Sequence, residues 1–219
     1  MSSPANARLD LVHPEVTAYL AGLEPPEDPL LDALEALALA RGFPLIGRAP
    51  GALLRLLTRS IGGRRVFELG SGFGFSAYYF AQAVGPQGAV HGAEHHAHEL
   101  DHFERLWAGH PLKARVHLRQ GDALALLAET PGDFDVIFFD LHKVGYPAAL
   151  AAAIPRLRPG GLLLADNVLW GGRVTRPALP DDPDTAALRA FNAALFADPR
   201  LEAQILPVGD GLAVARRRE

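Results

Sequence analysis

Two acids and an amide sit at the ends of apolar runs in the second half of this 219-residue chain. Asp140 closes "FDVIFFD", and Asp166 and Asn167 follow the run in "GGLLLADNVLW". If those runs are neighbouring parallel strands, about 4.8 Å apart, their ends bring three oxygen ligands together. Two carboxylates and an amide oxygen, with no His or Cys, suit a hard cation such as Mg²⁺ or Ca²⁺ that keeps open positions. The competing reading is that Asp140 and Asp166 only cap loops. Three residues after Asp140 stands Lys143, one of two lysines among 21 basic residues. An amine beside a divalent cation holds its proton less firmly, because two positive charges repel. Such an amine can act as a general base near neutral pH, which an arginine cannot. The plainer alternative is a solvated surface charge, but the scarcity of lysine and the place beside Asp140 favour the base.

A second candidate is the loop "ELGSGFGFS", where Gly70, Gly72 and Gly74 let a ligand approach backbone between a strand and a helix. A dinucleotide fingerprint needs a third glycine where Phe75 stands. The other reading is the acid-x-G-x-G-x-G loop of S-adenosylmethionine (SAM) methyltransferases, with Glu68 as the leading acid. A carboxylate there suits a cofactor bearing a sulfonium and an amine better than one bearing a pyrophosphate. Glu94, at the end of the next apolar run, can accept both ribose hydroxyls of either cofactor. A turn that serves packing alone is the third possibility.

These residues need strands to carry them, and the chain supplies the pattern. The first sixty residues read as helices: His13 to Leu20, a Pro-rich break at "EPPEDP", a helix from Leu30 closed by Gly42, and another after Pro50. From residue 64 strands and helices alternate. The expected strands are "RRVFELG", "GAVHGAE", "ARVHLRQ", "FDVIFFD" and "GGLLLAD", the last starting after a Pro159-Gly160-Gly161 turn. Helices are expected over Phe75 to Val84, Ala97 to Ala108, a short one begun by Asp122 as N-cap, Pro147 to Leu157, and Asp184 to Ala197. The tail "AQILPVGDGLAVARR" reads as two strands joined by a Gly-Asp-Gly turn. Repeated βα units imply an α/β fold with a mostly parallel, seven-stranded sheet, an antiparallel C-terminal hairpin and N-terminal helices. Ligands on such sheets bind outside the carboxyl ends of the strands, near the topological switch point, where the acids lie.

Composition sets the class. Hydrophobic residues at 49% and charged residues at 21% describe one globular domain over residues 1–219, a helical segment 1–63 followed by a core 64–219. Without cysteine, disulfides, thiolate metal sites and cysteine nucleophiles are excluded. A net charge of −4 gives no footprint for nucleic acid, the terminal "ARRR" being a local exception. The start has no signal-peptide core, and no 18-residue apolar run suggests a membrane span, so the expected location is the cytoplasm.

"VFELGSGFGFSAYYFA", "GDALALL", "FDVIFFDLHKVGYP" and "LRPGGLLLADNVLWGGRV" resemble, in order, the motifs of the cation-dependent SAM O-methyltransferases of the catechol and caffeoyl-CoA type. The resemblance runs over residues 40 to 217 and implies a Rossmann-like class I methyltransferase fold. It implies Asp140, Asp166 and Asn167 as ligands of Mg²⁺, Ca²⁺ or Mn²⁺, and Lys143 as the base. For SAM it implies Glu68, Gly70, Gly72 and Ser76 at the methionyl part, with the Ile46 backbone near its carboxylate. Glu94 would take the ribose, Asp122 and Ala123 of "GDA" would sit by adenine, and Asp140 and His142 would lie beside the cofactor. Trp170 is a candidate wall for an aromatic acceptor. The implied reaction methylates a vicinal-dihydroxy aromatic small molecule in a homodimer, with no nucleic-acid or membrane partner. The alternatives are methylation of a hydroxylated uridine in tRNA and an NAD(P)-dependent oxidoreductase. One departure is His142 within "DLHK". Another is the histidine-rich "HHAHELDH", where His95, His98 and His102 share a face; a solvated helix is the favoured reading over a metal site.

Overall fold

A computed structural model of the chain describes residues 9, 11–23 and 28–219; the first eight residues and Glu24 to Glu27 of the Pro-rich break lie outside the described residues. The helical lead-in comprises α1 (Pro14–Ala21), α2 (Pro29–Arg41) and α3 (Arg48–Ser60). The alternating part runs β1 (Arg65–Leu69), α4 (Phe75–Ala83), β2 (Ala89–Glu94), α5 (Ala97–Leu106), β3 (Val116–Gln120), α6 (Ala123–Glu129) and β4 (Phe134–Phe139). It continues through α7 (Tyr146–Ala153), β5 (Leu157–Ala165), α8 (Pro183–Ala197), β6 (Leu201–Leu206) and β7 (Leu212–Arg217).

The seven strands lie in the order β3-β2-β1-β4-β5-β7-β6, with β7 antiparallel to both its neighbours and the remaining pairs parallel. This is the expected α/β sheet with a C-terminal antiparallel hairpin. The chain steps outward from β1 to β3 and then returns to β4 on the other side of β1. The switch point, and so the crevice for a ligand, lies at the carboxyl ends of β1 and β4.

Strand alternation divides the core between two faces. Val66, Val90, Val136, Phe138 and Leu164 pack under α2 to α5, whereas Phe67, Leu69, Ile137, Phe139 and Leu163 pack under α6 to α8. Central strands covered on both sides must be apolar almost throughout, as "FDVIFF" is. Residues chosen for local chemistry set the helix ends. Asp28 caps α2 by accepting from Leu30 N–H at 2.9 Å, and Gly42 ends that helix at φ 63. Asp122 caps α6 through Ala125 N–H at 2.8 Å. Among the described residues no helix is long and apolar enough to cross a membrane.

Three boundaries differ from expectation by three residues or more. Helix α3 starts at Arg48, with Pro50 inside its first turn, where a missing N–H leaves no intrahelical bond unmade. Helix α7 stops at Ala153, because Pro155 can neither donate nor fit the preceding turn, and Ile154–Arg156 tighten into a 3₁₀ turn. Strand β5 begins at Leu157 and runs through Pro159-Gly160-Gly161, with a register irregularity between Phe134 and Val136 on β4 that accommodates the proline.

Candidate active site

Leu69 ends β1, and Gly70 turns at φ 90 so tightly that a β-carbon there would stand 2.8 Å from the carbonyl carbon of Asp140. Only glycine lets the loops after β1 and β4 meet backbone to backbone at the switch point. Gly70 and Ser71 N–H both donate to Ala93 O at 3.1 Å, which ties the loop to β2. Glu94 completes the tie: its Oε2 accepts from Gly72 N–H at 3.0 Å and its Oε1 from His96 N–H at 2.8 Å. Both oxygens keep a lone pair for further donors.

A cavity of about 600 Å³ opens over this loop. Ile46, Gly70, Gly72, Ser76 and Glu94 line it. Asp140, His142, Lys143, Asp166, Asn167 and Trp170 line it as well. Thus most of the residues singled out in the sequence converge on one crevice, although they come from five separate stretches of chain. Gly74, Glu68, Asp122 and Ala123 do not line it. Glu68 lies wholly buried in β1 beneath the loop. Asp122 and Ala123 stand at the start of α6, where Asp122 is engaged as a cap. Burial pushes the Glu68 carboxyl up to about 8, the Ser76 hydroxyl opposing and the Asp140 charge adding to the rise.

Next to the loop the end of β4 meets the end of β5. Lys143, 8% exposed, reaches Asp140 Oδ1 at 3.2 Å and Tyr146 Oη at 3.1 Å. It is not the solvated surface charge that most lysines are. The Tyr146 hydroxyl faces two carbonyls, Asp166 O at 2.9 Å and Phe139 O at 3.2 Å, so its proton goes to one of them and its oxygen accepts from Lys143. Burial, then the charges of Asp140 and Asp166, hold that hydroxyl well above its usual value and keep it protonated.

Asp166 is 2% exposed, and its Oδ1 has no hydrogen-bond partner. Burial, with the Asp140 charge beside it, pushes its carboxyl well above the ordinary range; the Asn167 N–H and Lys143 oppose this. A buried carboxylate oxygen without a donor is costly unless a positive group meets it. Asn167, at φ 57, turns the chain immediately after. The donor set of two carboxylates and an amide therefore fits a hard cation. Among the described residues no three His, Cys, Asp or Glu side chains converge as a metal site.

Of the three histidines expected on one face, His98 and His102 stand one turn apart on α5 and His95 falls outside it. His95 and His96 precede α5, while His98 Nε2 lies 3.0 Å from Glu99 and His102 bonds Arg105. His142 is 76% exposed on the cavity rim, 3.9 Å from Asp184. Two acids of the wall, Asp184 and Asp210, were not apparent from the sequence. Each was absorbed by a local explanation, a helix start for one and a hairpin turn for the other.

A family description, O-methyltransferase, matches residues 30–218. A catechol O-methyltransferase from Niastella koreensis is 34% identical over 204 residues, 86% of this chain and 90% of that protein. Caffeoyl-CoA O-methyltransferase 2 from Zea mays is 34% identical over 185 residues, 76% of this chain and 67% of that protein. The crystal structure of an O-methyltransferase from Bacillus cereus in complex with S-adenosylhomocysteine (SAH) superposes with a TM-score of 0.84 at 28% identity, covering 93% of this chain and 97% of that one. The dinucleotide reading falls away: Phe75, where a third glycine would be needed, is a buried core residue in the first turn of α4. With its loop, its sheet and almost its whole length matched, the chain belongs to the SAM-dependent O-methyltransferases.

Proposed function

We propose that the enzyme methylates one hydroxyl of a vicinal-dihydroxy aromatic small molecule, with a divalent cation held by Asp140, Asp166 and Asn167. The observation that carries this reading is the unpartnered, buried Asp166 Oδ1 beside Asp140, with the Lys143 amine in the same crevice. When bound, the cation supplies Lewis-acid polarisation of the two acceptor oxygens, and SAM supplies an electrophilic methyl group and leaves as SAH.

The chain's own residues do the rest. Glu94 offers its free lone pairs to the ribose hydroxyls, while Gly70, Gly72, Ser76 and the Ile46 backbone border the space for the methionyl part. Glu68 lies beneath the loop, wholly buried, with neither carboxylate oxygen hydrogen-bonded. Lys143 takes the proton of the acceptor hydroxyl at Nζ. Its contacts with Asp140 and Tyr146 aim the amine into the cavity and hold it there, and fixed geometry of this kind supplies much of the rate gain. Trp170 gives the aromatic ring a flat wall, and Ile46 and Leu141 add apolar surface. The names of the relatives from Niastella koreensis and Zea mays support a catechol-like or caffeoyl-like acceptor.

The test is a screen of vicinal diol aromatics with methyl-labelled SAM, with and without Mg²⁺. Labelled methyl ether from at least one diol, and none from the matching monophenol, is expected. Equal labelling of diol and monophenol would rule out the two-oxygen acceptor.

A further inference from the structure

The turn that carries Asn167 and Trp170 uses backbone that side chains seldom adopt. Asn167 at φ 57 and Trp170 at φ 52 are the non-glycine residues with positive φ among the described residues, and Gly171 (φ 60) and Gly172 (φ 79) continue the run. Such conformations persist only where the surroundings enforce them. Here the enforcement comes from the hairpin turn between β6 and β7. Val168 N–H donates to Gly211 O and Leu169 N–H to Asp210 O, both at 3.1 Å. The Asp210 carboxylate accepts from Gly171 N–H at 2.5 Å. Gly211 sits at φ 91, and a β-carbon there would lie 2.7 Å from Leu169 Cβ and 2.8 Å from its nitrogen, so the two turns meet without room for a side chain. Trp170 projects from the turn into the cavity wall, its ring 5.9 Å from Lys143 Nζ and 4.7 Å from the Arg173 guanidinium.

We infer that Asp210 is a positioning residue: by pinning the Gly171 amide it fixes the Trp170 side chain as the wall against which an aromatic acceptor lies. The assignment rests on reading the cavity as that of an O-methyltransferase. The carboxylate also adds negative charge near Asp166, so a purely electrostatic role is the rival. Asparagine separates the two, since it keeps an acceptor oxygen and discards the charge.

The chain has two tryptophans, and Trp107 is fully buried, so acrylamide quenching of the full-length protein reports Trp170. Asp210→Ala should raise the quenchable signal and raise acceptor KM about tenfold, leaving SAH affinity unchanged. Asp210→Asn should stay within about twofold of the unsubstituted enzyme in both readouts. Wild-type quenching in Asp210→Ala, or an Asp210→Asn enzyme that behaves like Asp210→Ala, would overturn the assignment. Hydrogen exchange on the unsubstituted chain needs no variant: the Gly171 amide should exchange far more slowly than an open amide, and exchange at the unstructured rate would also overturn it. Quenching and exchange require no acceptor, so their failure sinks the Asp210 assignment alone, whereas absence of methyl transfer sinks the reading of the cavity.

Discussion

Gly70→Ala adds a single methyl group at the contact between the loops after β1 and β4, and its consequences can be worked from that contact. The new carbon would overlap the Asp140 carbonyl oxygen and lie 2.8 Å from its carbonyl carbon and 3.1 Å from Leu141 Cα. All three neighbours are backbone, so no side-chain rotation relieves the clash. Carbon atoms settle at about 3.5–4.0 Å, so the loops must part by roughly 1 Å. Alanine at φ 90 adds backbone strain of about 1–2 kcal/mol, and overpacking about 1–3 kcal/mol, giving about 2–5 kcal/mol in all. For a chain of this length each kcal/mol lowers Tm by about 2–4 °C, so the fall should be roughly 5–20 °C. Because the strand end that moves carries Asp140, a proposed ligand of the cation, the Mg²⁺ concentration for half-maximal activity should rise as well. Circular dichroism melts and a Mg²⁺ titration of turnover measure both. A variant with Tm within 2 °C and an unchanged Mg²⁺ requirement would refute the close approach on which the site's geometry depends.

Other perturbations separate the parts of the site. Lys143→Arg keeps the charge but removes the proposed base, so single-turnover methyl transfer should fall about 10²- to 10⁴-fold while SAH binding persists. Glu94→Ala should weaken SAH binding roughly 10- to 100-fold by calorimetry, since it removes the acceptor proposed for ribose and frees the Gly72 and His96 amides. Far from the site, burial opposes ionisation of Asp135, but Arg158 and the Arg64 and Arg65 N–H groups outweigh it and hold the carboxyl below its ordinary range. Its contribution is therefore full above the unfolded value of about 3.9 and is lost as pH falls through the folded one. Urea unfolding should show Asp135→Asn less stable by about 1.5–3 kcal/mol at pH 7, with the gap narrowing below pH 4.

Much of this molecule can be read from its sequence, and the exceptions have physical causes. Apolar runs followed by helical periods mark β1, β2, β4 and β5, which lie in the covered part of the sheet, whereas β3 and β6 are largely exposed and carry a weaker pattern. The acids at Glu94, Asp140 and Asp166 stood out because they interrupt such runs. Boundaries near proline were less legible. Pro50 sits inside a first turn and Pro159 inside a strand, since each occupies a position where its missing donor is not needed. The placement of Glu68 was hidden because a motif gives order along the chain but not depth; it is buried under the loop it leads. Asp210 was concealed by a sufficient local reason, a Gly-Asp-Gly hairpin turn, although that turn also packs against residues 167–172 from 40 positions away. His95 has helical spacing to His98 and His102, but the helix begins two residues after it.

The central claim is that Asp140, Asp166 and Asn167 hold a cation without which the acceptor is not methylated. The most direct measurement is transfer of labelled methyl from SAM to a simple catechol by enzyme stripped of divalent ions with EDTA and then returned to Mg²⁺. Loss of transfer on stripping and its recovery with Mg²⁺, with SAH still bound by the stripped enzyme, is the predicted result. Full transfer after rigorous removal of metal would contradict it.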